Sequence, residues 1–134
     1  MTDDRLRAAP SDRYDAPALA FDLHAEAAAI RAEPAPVRHG HRQKTIYKHG
    51  GRTMAVFVME DGAALPEHAT AGSVTIQALE GRIVVTAAGA EHRLDPGHIV
   101  ALHPGVRHDV RAVGQSVFLL QVSLNDEAAA DRAR

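Results

Sequence analysis

The stretch GAALPEHATAG, Gly62 to Gly72, sets a histidine at the end of an apolar run and a threonine two residues later, between glycines able to punctuate strands. A second stretch, GHIVALHPGVRH from Gly97 to His108, also runs from a glycine through a short apolar segment to a histidine. From Lys44 onward, short apolar or alternating runs follow one another: KTIYK, TMAVFVM, VTIQAL, RIVVTA, HRL, HIVAL, HDVRAV and SVFLLQVSL. Between them stand HGG, EDG, EG, AAGA, DPG and HPG, which supply residues that adopt positive φ or pre-set a turn. Short strands in this rhythm predict an all-β sandwich or barrel built from hairpins.

The first fifty residues read differently. Residues 1–20 are charged and broken by proline, the composition of a loosely held arm. FDLHAEAAAIRAEPAP then predicts one short helix over 21–33, with Asp22 as N-cap, Leu23, Ala27 and Ile30 on one face, and Pro34 and Pro36 ending it. The β region spans 44–124, and residues 125–134 are a polar, alanine-rich tail.

Composition bounds the chemistry. At 134 residues the chain is one domain by size, long enough to hold a core unaided. With no cysteine, no disulfide framework is possible. Fifteen basic and seventeen acidic residues leave a formal charge of -2, which gives no general attraction to nucleic acid or to an anionic membrane. The start, MTDDRLRAAP, lacks the apolar core of a signal peptide, and no apolar run approaches the ~20 residues that span a bilayer. A cytoplasmic location is the expectation. Neither a phosphate-binding Gly-rich loop nor a Gly-x-Ser-x-Gly elbow is present.

The glycine and histidine spacings are specific. Gly62, five residues, His68, one residue, Thr70, three residues, Val74, six residues and Gly81 reproduce the spacing G(X)5HXH(X)3-4E(X)6G. Gly97, five residues, His103-Pro104-Gly105, two residues and His108 follow G(X)5PXG(X)2H(X)3N, with His103 in place of proline and Ala112 in place of asparagine. On these two motifs the chain resembles a small single-domain cupin over Lys44 to Leu124. The resemblance implies a jelly-roll barrel with a divalent metal at its mouth, held by two histidines and a glutamate from the first motif and one histidine from the second. His68 and His108 match that set, while Thr70 and Val74 stand where the other two ligands would be. A threonine hydroxyl is a poor ligand beside imidazole or carboxylate, so two histidines alone should hold Zn, Mn, Fe or Ni weakly or not at all.

Residue parity carries the same reading. If His68 and Thr70 share a strand they point into one cavity, with Val74, Ile76 and Ala78 lining the interior beyond them and Gln77 facing the other way. Gln77 and Gln121 then suit a layer or dimer interface. His103 is the first candidate to complete a metal site. His98 falls at a strand start, His92 on a sheet face, and His24 on the helix. His39 and His41 sit among Arg38, Arg42 and Lys44, a cationic setting that opposes metal and reads as a solvated lead-in strand. His108 and Asp109 are strand neighbours and face opposite ways, which excludes a dyad.

Three functions are consistent with these residues. The first is a cupin binding a small organic molecule in an apolar pocket of His68, Thr70, Val74, Ile76 and His108. The alternative is a metal-dependent cupin enzyme of the dioxygenase, isomerase or lyase type using His68 and His108. A ligand-sensing module is the third, weakened because few residues lie outside the barrel to form a DNA-binding domain. The apolar TMAVFVM run and the edge strands left by an open jelly roll predict a homodimer.

Overall fold

The computed structural model describes residues 16–34, 37 and 39–124; the tail at 125–134 and residues 1–15 of the arm lie outside the described residues. Among the described residues one helix and seven strands follow in order: α1 (Leu23–Arg31), β1 (His41–His49), β2 (Arg52–Met59), β3 (Ala64–His68), β4 (Ser73–Ala87), β5 (Ala90–Leu94), β6 (Ile99–Leu102) and β7 (His108–Ser123). All pairings are antiparallel. No described helix is long and apolar enough to cross a membrane.

β4 and β7 are the spine. They pair along nearly their whole length, and each half of the pair recruits different neighbours. On one side of a central corner the order is β1-β2-β7-β4-β6; on the other it is β3-β7-β4-β5. The hydrogen-bonded sheet thus folds over on itself as a jelly roll, and its inner faces bury one cluster drawn from both halves, including Phe57, Val74, Ile76, Ile83, Val85, Val110 and Phe118. Phe57 and Phe118 stack with centroids 4.7 Å apart at 8°.

Sequence punctuation misleads at this corner. The EG step and Gly114 read as turns that would divide VTIQAL from RIVVTA and HDVRAV from SVFLLQVSL. Each pair is instead one continuous strand, β4 and β7. Between the partners Glu80↔Val117 and Arg82↔Val113, β7 carries three residues against Gly81 alone, a bulge that bends both strands together. Gly81 and Gly114 adopt φ of 68° and 75°, and a Cβ on Gly81 would collide with the Gln115 carbonyl. Two side chains satisfy the backbone groups released there. The fully buried Ser116 hydroxyl shares its one proton between the carbonyls of Arg82 (2.8 Å) and Gly114 (3.0 Å), and Asp61 accepts from the Gly114 N–H at 2.8 Å.

α1 covers the outer face of the β1-β2-β7 half. Asp22 caps it by accepting from the Ala25 N–H, 3.0 Å, as expected, and it is shorter than predicted, ending at Arg31. Ala27 and Ile30 are buried against Ile46, Val56, Val58, Val117 and Leu119. Full burial of a side chain like Ile30 contributes about 1.5–3 kcal/mol. Glu80, at the corner, bonds His24 at 2.8 Å and Arg31 at 3.2 Å; the His24 bond first, then Arg31, hold its carboxyl below the ordinary value of 4.5. Lys44 meets Glu26 of the helix at 3.0 Å, so this member of the predicted basic cluster is neutralised.

Replacing Ser116 by alanine removes the one hydroxyl proton that the Arg82 and Gly114 carbonyls share, and we expect unfolding free energy in urea to fall by about 0.5–1.5 kcal/mol. An unchanged midpoint would remove the corner hydroxyl from the account of stability.

Candidate functional site

The two motif histidines meet. The β3–β7 register sets His68 directly opposite His108, and their ring centroids are 4.4 Å apart at 55°. His108 is buried, whereas His68 is exposed at the end of β3, so the pair spans from the core to the surface. One residue before each, Glu67 and Arg107 bond at 2.8 Å on the opposite face of the ladder. That pair is exposed and adds little stability, but it ties the two strand ends together.

Both rings are oriented alike. Nδ1 of His68 donates to the Pro66 carbonyl and Nδ1 of His108 to the Val106 carbonyl, each at 3.0 Å. A carbonyl can only accept, so the neutral ring carries its proton on Nδ1 and leaves the Nε2 lone pair free. Neither Nε2 has a partner among the described residues. Nor is either sealed off, since the buried side-chain nitrogen and oxygen atoms lacking a partner are His41 Nδ1 and Thr75 Oγ1. Two imidazoles therefore present acceptor nitrogens to whatever occupies this end of the barrel.

The rest of the expected site is placed differently. Thr70 does not share a strand face with His68, because β3 stops at His68. It lies in the loop to β4, where its hydroxyl donates to the Gly72 carbonyl at 3.0 Å and its own carbonyl accepts from Gly105 N–H at 2.8 Å. Gly72 is buried with the Ser123 backbone so near that a Cβ would clash, which holds this loop against the end of β7. Val74 and Ile76 face the interior as predicted, and Gln77 faces away. Val74 pairs with Leu102 and Val122, and all three belong to or pack against the apolar core.

No group of three or more His, Cys, Asp or Glu side chains that could hold a metal occurs among the described residues. His103 is exposed, and His98 instead accepts the Asp95 N–H at 3.2 Å and stabilises its own turn. The aliphatic Val74 and the loop-bonded Thr70 leave two donors where catalytic zinc sites use three, so the site does not fit a tightly held resident metal.

One interior residue escapes the sequence reading. His41 does not belong to a solvated lead-in: it starts β1, pairs with Met59, and lies over Phe57 with centroids 6.2 Å apart at 24°. Its Nδ1 is buried without a partner. The register sets Gln43 and Thr45 on the same side of β1, opposite Phe57 and Ala55. The alternation His41-Gln43-Thr45 was the available signal, and the bulge between Thr45 and Tyr47 hides it by restarting the parity before Ile46.

Comparison with known proteins gives the fold a context. The family described as a cupin domain matches residues 55–122, just over half of the chain. A conserved protein of unknown function from Streptococcus pyogenes is similar in structure, with a TM-score of 0.64 and 20% identity over 79% of this chain and 87% of its own. A cupin superfamily protein from Desulfitobacterium hafniense superposes with a TM-score of 0.64 and 16% identity, covering 73% and 86% of the two chains. KdgF from Halomonas sp. gives 0.63 and 18%, covering 71% and 90%. No curated protein matches the chain in sequence. At these identities the likeness carries the fold.

If the carbonyl contacts set the tautomers, long-range nitrogen-proton spectra of the neutral protein should show His68 and His108 protonated on Nδ1. Protonation on Nε2 in both would show that their lone pairs do not face the pocket.

Proposed function

The chain belongs to the family of cupin domains, and from that premise we propose that it binds a small organic molecule at the open end of the barrel, using the Nε2 atoms of His68 and His108 as acceptors. The observation that carries this reading is the matched pair of rings, both turned by a backbone carbonyl so that an unpaired lone pair remains. Ligand pockets pair an apolar wall with a few oriented polar groups, and the apolar interior that includes Val74 and Leu102 is consistent with such a wall. A molecule with hydroxyl or N–H donors is the complement of two acceptor nitrogens. Thr70 contributes by shaping the loop, and Ile76 by closing the interior beneath it.

The same lone pairs support a second reading, a metal-dependent cupin enzyme of the dioxygenase, isomerase or lyase type. With two protein donors, a divalent metal would be held weakly and would exchange. The two readings separate on retention. Wild-type protein should lose added zinc or manganese on dialysis against a mild chelator, whereas Thr70→His with Val74→Glu should retain near-stoichiometric metal. Native mass spectrometry of freshly purified protein should find an organic adduct on wild type and not on His68→Leu, with stability changed by less than about 1 kcal/mol because an apolar side chain is tolerated at a partly apolar lip. A wild type that keeps one metal per chain through dialysis would favour the enzyme.

We also propose a homodimer. Its support is the outer face of β4 and β6, where α1 does not reach: Thr75 Oγ1 is buried without a partner, Gln77 and Gln121 are half-buried, and Ile99 is 53% exposed. A self-complementary contact would pair the amides and cover Ile99. Sedimentation at micromolar protein should give twice the 14.3 kDa chain mass; a single monomeric species would overturn the dimer.

A further inference from the structure

Away from the barrel mouth, a cleft of about 230 Å³ opens between the C-terminal end of α1 and the corner end of β1 and β2, lined by Arg31, Arg42, Val58, Met59, Glu60 and Gln115. Val58, buried on the helix side of β2, gives it an apolar patch, while Met59 turns its side chain into the barrel core. Its charges are arranged in an unusual way. Arg42 and Glu60 border the same cleft, and neither makes an ion pair or side-chain hydrogen bond with the other or with any described residue, so both keep their full hydrogen-bonding capacity. Arg31 is fixed from behind by Glu80 at 3.2 Å, which uses one of its five N–H donors and leaves the planar fork positioned.

From this arrangement we infer that the cleft binds a small zwitterion of the amino-acid class, its carboxylate held by Arg42 and Arg31 and its ammonium by Glu60. A carboxylate is the ion that matches guanidinium geometry, through charge-assisted hydrogen bonds from two N–H groups. An ammonium carries three donors and no acceptor, which suits the free Glu60 carboxylate. The Gln115 amide offers both a donor and an acceptor at the rim. A ligand of one sign would meet the opposing charge of Glu60 or of the arginines; one of both signs completes each. Concave, partly apolar walls strengthen these contacts relative to an open surface. Val58 offers an apolar surface to a short aliphatic side chain.

Nitrogen-labelled full-length protein titrated with L-alanine and with 4-aminobutanoate tests this, with acetate and methylammonium as single-charge controls. Saturable amide shifts at Arg42, Met59, Glu60 and Gln115 are expected from at least one zwitterion, with acetate and methylammonium each binding about tenfold more weakly, the effect of losing one charge-assisted contact. Arg42→Gln and Glu60→Gln, each checked for an unchanged fold by its spectrum, should each weaken zwitterion binding by a similar factor. Absence of saturable shifts up to about 10 mM, where even millimolar affinity would register, overturns the proposal. Equal binding of acetate and alanine, or a Glu60→Gln variant that binds as wild type does, would reduce the cleft to an anion site and overturn it too. Shifts confined to His68 and His108 would assign the amino acid to the barrel instead.

Discussion

Everything in this molecule depends on bending two paired strands at the same point without leaving backbone polar groups stranded. A β-ladder interrupted by a bulge frees carbonyls and N–H groups, and burying them unpaired is costly. Ser116 and Asp61 take up that role, one bridging two carbonyls from inside the corner and the other accepting the Gly114 N–H from outside. Neither residue touches the barrel mouth, yet both determine it. The register that starts at the corner runs along β7 to His108, and a slip of one residue would turn His108 to the outer face and end its meeting with His68.

The helix is joined to the same corner. Glu80, one step from Gly81, receives His24 and Arg31, so the docking of α1 and the bend of β4 share a residue. The apolar contact of Ala27 and Ile30 supplies the attraction, and the polar contacts fix where along the sheet the helix rests. This placement leaves Arg31 at the wall of the cleft and leaves β4 and β6 uncovered on their outer face. The two polar regions of the molecule are thus consequences of where one short helix stops.

Much of this was legible in the sequence because glycine spacing and strand parity are set by local sterics. Gly62, Gly81, Gly97 and Gly105 all adopt positive φ, which is why their spacing with His68 and His108 identified the fold and brought the right two histidines together. The inward facing of Val74 and Ile76 followed from period two alone. What failed has equally local causes. A glycine in a bulge looks like a glycine in a turn, so β4 and β7 were each divided in two. Parity continues on paper after the ladder has stopped, which sets Thr70 beside His68, and one bulge reverses parity within β1 and hides His41. Whether a side chain bonds its neighbour's carbonyl, as Thr70 does, depends on loop geometry that spacing does not encode.

The position of β7 in the chain has a further consequence. Among the described strands it comes last, and it is the one that pairs with β2, β3 and β4. During synthesis, neither layer of the sandwich can close until Ser123 has left the ribosome. Up to then the apolar inner faces of β2 and β4 and their unpaired edges remain available to other chains. Non-local pairing of this kind is slow compared with helix or hairpin formation, and exposed strand edges are where nascent chains aggregate. The yield of folded protein in a cell therefore depends on how long the earlier strands wait for β7, and sequence changes that delay β7 act on abundance even when they leave the finished structure untouched.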